Sequence, residues 1–347
     1  MLRERLTAQL LAGEPARDPV AVAERLLAIQ AQDPRGARLA IRARTTGLSV
    51  ADVDRALTDD RSLLITWLNR GTLHLVRLED YPWLQALTTP QLAAGNARRL
   101  EQTGVTPRLA KKGVDVIVRA LADEGPLTRR QLAERVEAAG VPTKNQALVH
   151  LLMLTALQGQ TIRGPMVGIH QAFVLVRDWL GEQPAVDRER ALAELARRFL
   201  AGHGPADERD LARWAGLPLR DVRAGLGAIA PELEQRPGGL VDLARRPPTA
   251  ELPPPKLLGV FEPVLLGWVS REPLLGSDPA RIIAGGLFRA FALADGRAVA
   301  TWSLEEGKLV LQPFGRLSRE VRAALAHDGD DLIRYLGAVS QPAHRNG

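Results

Sequence analysis

The stretch PLTRRQLAERVEAAGVP, residues 126–142, leaves the chain little conformational freedom. Thr128 followed three residues later by Gln131 is a capping box, in which each side chain satisfies the other's backbone N–H, and Gly140 then Pro142 mark the helix stop. A longer helical pattern precedes it over about 111–123, another follows over about 144–158, and two β-rich runs surround Gly164-Pro165. Three helices closing on a hairpin is the winged-helix plan, whose second and third helices commonly set one helix against the DNA major groove.

The pattern recurs. GPLTRRQLAERVEAAGVP at 125–142 aligns with GPADERDLARWAGLP at 204–218, where Asp207 caps, Gly216 stops and Pro218 starts the next helix. A third copy is expected near the N-terminus, where LSVADVDRAL caps at Ser49 and SLLITWLNRGTLHLVR turns at Asn69-Arg70-Gly71. Beyond the proline-rich RRPPTAELPPPK (245–256) the pattern changes to strands. GLFRAFALADGRAVATW alternates around Asp295-Gly296, a hairpin signal, a short turn follows at Glu305-Glu306-Gly307, and a last helix is expected from about Leu317 to Leu336. The expected fold is therefore α+β, predominantly α: three tandem winged-helix motifs plus a small C-terminal β-meander and helix. The corresponding segments are 1–95, 96–180, 181–250 and 251–347.

A chain of 347 residues suits several such units, and 46% hydrophobic with 25% charged residues is ordinary globular composition. Cysteine is absent, which excludes disulfides, thiolate metal sites and cysteine nucleophiles. The six histidines (His74, His150, His170, His203, His327, His344) are scattered without an i, i+4 pair, so no metal is expected. No G-x-S-x-G, phosphate-binding loop or G-x-G-x-x-G occurs, and no cofactor is expected. MLRERLTAQLLAG is too charged for a signal peptide and no run reaches ~20 apolar residues, so the expectation is a cytoplasmic protein, at the nucleoid and not at a membrane. Its net charge is +6, and only five of its 46 basic residues are lysine. Arginine's planar fork suits phosphate and guanine edges.

One stretch resists a plain helical reading. RLLAIQAQDPRGARLAIRAR (25–44) places Gln30 and Gln32 about 200° apart on a continuous helix, so they could not meet one ligand. Pro34 disfavours the α conformation at Asp33, so a helix running from about Val22 should end near Gln30–Gln32, with Asp33 capping the next helix and Pro34 as its first residue. Side chains on the two sides of such a break can converge. Arg35, Arg38 and Arg42 then fall on one face, either solvated or facing nucleic acid. The basic run from Arg98 through Arg108, Lys111, Lys112, Arg129 and Arg130 is a further candidate surface.

With Gln30-Ala31-Gln32 in view, the chain resembles the AlkZ-like and YcaQ-like bacterial DNA glycosylases, built of tandem winged helices. Their signature is Gln-apolar-Gln in the first branch and Gln-apolar-Asp in the second. Further matching stretches are WLNRGTLHLV (67–76), GPADERDLARWAGLP (204–218), GVFEPVLLGWVSREPLL (259–275) and GLFRAFALADGRAVATW (286–302). The chain departs where relatives often carry Asp and it has Glu262, and in the wing at 160–176, which holds no distinct family motif. The resemblance implies a monofunctional glycosylase with Gln30 and Gln32 catalytic. Its partner would be double-stranded DNA carrying alkylated bases, N7-alkylguanine above all. Excision of bulky adducts, unhooking of interstrand crosslinks and self-resistance to a genotoxin would be the biological role. Arg70 and His74 join Arg35, Arg38, Arg42, Arg129, Arg130 and Lys144 as expected DNA contacts, and a monomer is the expected state. The reading from another class is a non-catalytic winged-helix DNA-binding protein or transcriptional regulator.

Overall fold

In the computed structural model, which describes residues 1–183 and 185–337, the chain passes three times through one order of elements. His344 lies outside the described residues. After helix α1 (Leu2–Ala8), the first pass is α2 (Pro19–Leu26), strand β1 (Ile29–Gln30), α3 (Pro34–Arg42), α4 (Val50–Thr58), β2 (Leu63–Leu68) and β3 (Thr72–Arg77). Helices α5 (Tyr81–Thr88) and α6 (Ala93–Gln102) lead to the second: α7 (Pro107–Glu124), β4 (Leu127–Thr128), α8 (Arg129–Ala138), α9 (Ala147–Leu157), β5 (Thr161–Val167) and β6 (His170–Leu175). After α10 (Val176–Leu180) the third has α11 (Arg188–His203), α12 (Glu208–Ala215), α13 (Leu219–Ala228), β7 (Leu233–Arg236) and β8 (Leu240–Leu243). Here a single bridge from Ala206 to Val241 replaces the short strand.

Local chemistry sets these boundaries. The helix after the short strand opens each time on a side-chain cap: Asp33 accepts from the Gly36 N–H at 2.6 Å, Thr128 from Gln131 at 3.4 Å and Asp207 from Asp210 at 2.8 Å. Gln131 returns a bond to the Thr128 N–H at 2.9 Å, completing the capping box. Two expectations need correction. The second hairpin turns at Gly168–Ile169 and not at Gly164-Pro165, which lie inside β5 where the register slips between Arg163 and Met166. A proline cannot donate to the ladder and is accommodated at such an irregularity. Helix α9, in the position of a groove reader, is ALVHLLMLTAL. It carries no Lys, Arg, Asp or Glu, buries Leu148, Leu151, Leu152 and Ala156, and binds α6 through Asn96, whose amide donates to the His150 carbonyl at 3.0 Å. A helix apolar all round belongs to a core.

Contacts divide the chain into two compact units that cut across the four consecutive segments: 1–53 with 198–210 and 231–347, and 54–197 with 211–230. In the second unit β3, β2, β5, β6 and β4 follow one another across one sheet. The first unit holds β9 (Lys256–Leu258), α14 (Glu272–Leu275), the hairpin β10–β11 (Ile283–Ala284, Leu287–Phe288), β12 (Phe291–Ala294), β13 (Arg297–Glu305), β14 (Lys308–Pro313) and α15 (Arg319–Tyr335). Its four-stranded antiparallel sheet, ordered β14-β13-β12-β9, shares a core with α15 and with Leu39 of α3: Leu257, Ala292, Ala300, Leu325, Leu332 and Tyr335. Thus α3 belongs to the same core as strands more than two hundred residues later.

Candidate active site

The glutamine stretch is a joint between two helices, built differently from the expectation. Helix α2 stops at Leu26, well before Gln30, because the buried Leu27 takes a left-handed backbone (φ 64°), a conformation that costs a leucine of order 1 kcal/mol or more. The chain then runs extended through β1, bends, and enters α3 at Pro34. The break takes the two glutamines off any continuous helix, so the 200° separation no longer holds: Gln30 ends β1 and Gln32 stands at the bend that follows. Gln30 is 7% exposed and Gln32 is exposed, so the pair runs from the protein interior to solvent.

Asp33 has a structural task. Its Oδ1 caps α3 and it neutralises the positive pole of that helix, which matters beside any centre that must develop positive charge. The first turn of α3 also lies hard against another backbone segment. A Cβ at Gly36 would stand 2.5 Å from the Val260 carbonyl oxygen, and one at Gly259 would stand 3.0 Å from Leu39 Cβ. Only two glycines permit this approach.

The arginines that follow are not one exposed stripe. Arg35 is exposed, but Arg38 and Arg42 are 7% and 5% exposed. Arg42 grips the last helix: Nε and Nη2 reach Asp331 Oδ2 at 2.9 and 2.8 Å, while Nη1 and Nη2 reach the Asp328 carboxylate at 2.8 and 2.7 Å. Burial works against its charge, and the two aspartates outweigh burial, leaving the guanidinium pKa above its ordinary value. Arg38 donates to the Pro34 carbonyl at 3.0 Å and its own carbonyl accepts from Tyr335 at 2.8 Å. The expected DNA contacts at Arg38 and Arg42 are therefore corrected to internal supports of α3.

Arg44, which the sequence reading passed over, completes the brace. Its side chain is wholly buried with Glu262 at 2.5 Å, and it also donates to the carbonyls of Gln9 at 2.7 Å and Ala40 at 2.8 Å. The Glu262 carboxylate also accepts from the Val264 N–H at 3.5 Å. The signals for these partners were the acidic run in HDGDDL and the departure at 262, but spacing alone could not pair residues so distant.

In the other unit, His74 is 2% exposed, its Nδ1 lies 2.9 Å from the Thr72 carbonyl, and burial, helped by the Arg70 charge, pushes its pKa down to about 3. A neutral, enclosed imidazole is no phosphate contact, so that expectation is corrected as well. Arg70 is partly exposed and donates to the Arg213 and Trp214 carbonyls at the C-terminal end of α12, the negative pole of that helix. Arg129, Arg130 and Lys144 are exposed, with Arg130 bonded to Glu134 at 3.2 Å. Among the described residues no cluster of three His, Asp or Glu side chains could hold a metal ion, and no helix is long and apolar enough to cross a membrane.

Comparison with known proteins places this architecture. The model of the DNA glycosylase AlkZ-like family matches residues 23–335. An interstrand DNA cross-link repair glycosylase of Streptomyces sahachiroi is 28% identical over 360 residues, spanning 95% of this chain and 94% of that protein. The solved structure of the Streptomyces sahachiroi DNA glycosylase AlkZ superposes with a TM-score of 0.76 at 25% identity, covering 97% of this chain and 95% of that one.

Proposed function

Because the chain belongs to the AlkZ-like DNA glycosylase family, we propose that it hydrolyses the N-glycosidic bond of N7-alkylguanine in duplex DNA, with Gln30 and Gln32 as the catalytic pair. The observation that carries this reading is the joint itself: Gln30 at the end of a short strand and Gln32 at the bend after it, one buried and one open to solvent, immediately before the Asp33-capped start of α3. Alkylation at N7 puts a positive charge on the purine, so its bond to C1′ is already weakened. When that bond breaks, the electron pair neutralises the base, which departs without a general acid. Water attacks C1′, and its proton passes to solvent. Gln32, at the solvent end, holds the water through its amide oxygen, and Gln30, fixed in the interior, offers its dipole to the developing oxocarbenium ion. A neutral amide is a poor general base, so unmodified nucleosides are not substrates.

The product is an abasic site, because strand scission through a Schiff base needs an amine at the reacting carbon. Lys256 is the lysine nearest α3 in the first unit's core, and it donates to the Ala43 carbonyl at 3.0 Å, at the far end of a nine-residue helix ~13 Å long from Asp33. The Streptomyces sahachiroi relative, an interstrand DNA cross-link repair glycosylase, supports unhooking of crosslinks as a further activity, and self-resistance to a DNA-alkylating natural product is the biological role we propose for this chain. Exposed Arg35, Arg129, Arg130 and Lys144 serve as phosphate contacts. Against the regulator reading, the groove-reading position of the second pass is held by α9, which offers no charged side chain to a groove.

The test is single-turnover incubation with a duplex carrying one N7-alkylguanine, followed by alkaline cleavage of abasic sites, beside the Gln30→Ala/Gln32→Ala variant. Base release by the wild type and not by the variant is expected. Tight binding with no release from simple or bulky adducts would overturn the enzyme reading.

A further inference from the structure

A cleft of about 510 Å³ opens beside the glutamine joint, entirely within the first unit. Asp33, adjacent in sequence to Gln32, forms part of its wall; Val260 and Phe261 form another part, Leu287 and Phe288 a third, and Thr301, Trp302 and Gln312 line it from the sheet. The chain has only 14 aromatic residues. Six of them are partly exposed, and three of those six, Phe261, Phe288 and Trp302, line this one cleft.

Backbone and neighbouring groups fix the rings in place. Phe261 carries a left-handed backbone (φ 54°), strain that persists where a side chain must be aimed, and its ring meets Phe288 at 5.4 Å between centroids, tilted by 41°. The Trp302 indole N–H donates to the Leu258 carbonyl at 2.9 Å, which fixes the ring. The Arg271 guanidinium sits 5.7 Å from the Phe288 ring centroid. Thr301 hydroxyl and Gln312 amide, bonded to each other at 3.3 Å, add hydrogen-bonding capacity, and exposed Arg289 stands at the rim.

Resting on the glycosylase reading, we infer that this cleft is the seat of a planar aromatic substituent carried by the alkylated base, and so selects adducts by the shape of the alkyl group. N7 and N9 share the five-membered ring of the purine, so a group on N7 begins close to the scissile bond. A cleft walled by the neighbour of Gln32 lies where such a group would extend. Aromatic faces reward flat rings over saturated ones of equal bulk.

The experiment compares two duplexes that differ only in the N7 group, benzyl against cyclohexylmethyl, in single-turnover base release at varied enzyme concentration. The wild type is expected to half-saturate at about tenfold lower concentration with benzyl. Phe288→Ala, and separately Phe261→Gly, which removes a ring without imposing left-handed strain, should shrink that ratio to near one. Release of both bases with no preference, or with a preference untouched by both variants, overturns the cleft assignment and leaves the glycosylase reading standing. If neither base is released, the glycosylase reading has failed, and a second readout decides the cleft. The 15N indole signal of Trp302, assigned with Trp302→Phe, is followed during titration with free 7-benzylguanine and 7-cyclohexylmethylguanine. A selective shift with the benzyl compound supports the aromatic seat, and no shift overturns it.

Discussion

The first and second passes through the winged-helix order reach their second helix by different joints. In the second, β4 ends at Thr128 and Thr128 is already the cap of α8, so strand and helix meet with nothing between them. In the first, β1 ends at Gln30 and the cap is Asp33, so Ala31 and Gln32 intervene. Both joints keep the cap; only the first is widened, and the widening carries a catalytic candidate. A scaffold can thus repeat a stable connection and reserve chemistry for the copy in which two residues are freed from it.

The comparison can be broken at several levels. The largest effect should come from the glutamines: Gln30→Ala/Gln32→Ala is expected to lower single-turnover base release ~10³-fold, with about 1 kcal/mol of stability lost at buried Gln30. At the compact joint Gln131→Ala should cost only about 1 kcal/mol of stability and leave the rate alone. Equal loss of rate from both would erase the distinction. Next, Arg42→Met strands Asp328 and Asp331 and should cost about 3 kcal/mol in denaturant unfolding, at the low end for a buried pair because Asp331 is 40% exposed. Unchanged stability would mean that α3 is held by its apolar side alone.

Smaller again is Gly36→Ala, which forces α3 away from Val260 and should cost about 2 kcal/mol along with several-fold in rate. A variant of full activity would show that the joint does not depend on that approach. Acid should separate chemistry from stability. His74 and His203 are both pushed down to about 3, His74 by burial and then Arg70, and His203 by burial, the charges of Arg44 and Arg246 adding to that and the Phe199 carbonyl partly offsetting it. The unfolded chain therefore takes up protons below about pH 6.5 that the folded chain refuses, so the melting temperature should fall on acidification toward pH 3. Base release, relying on amides that do not titrate, should stay level while the protein remains folded. The smallest effect concerns the surface: removing Arg129, Arg130 or Lys144 singly should reduce the salt dependence of DNA binding by about 0.9 in log–log slope each, with little change in rate at saturation.

Much of this was legible in the sequence because the signals were local. The Thr128–Gln131 box, the Asp33-Pro34 start and the Asp295-Gly296 turn each depend on residues within one helical turn or one hairpin, and each stands where those residues put it. The short strand containing Gln30 left no such mark, since two residues have no period. Nor could the arginine stripe disclose its partners: Arg42 meets Asp331 across 289 residues of sequence, and a helix face that reads as cationic becomes internal once acidic groups are folded onto it. The reach of a side chain is a property of the tertiary fold, which periodicity does not encode.

That same pairing sets an order of events during synthesis. The glutamines leave the ribosome early, while Asp328, Asp331 and Tyr335, which fasten the helix beside them, follow nearly three hundred residues later. At ordinary elongation rates this is a delay of roughly 15 to 60 s. Throughout that interval α3 lacks its fastening, so the frame around the glutamines closes only once residue 335 has been made.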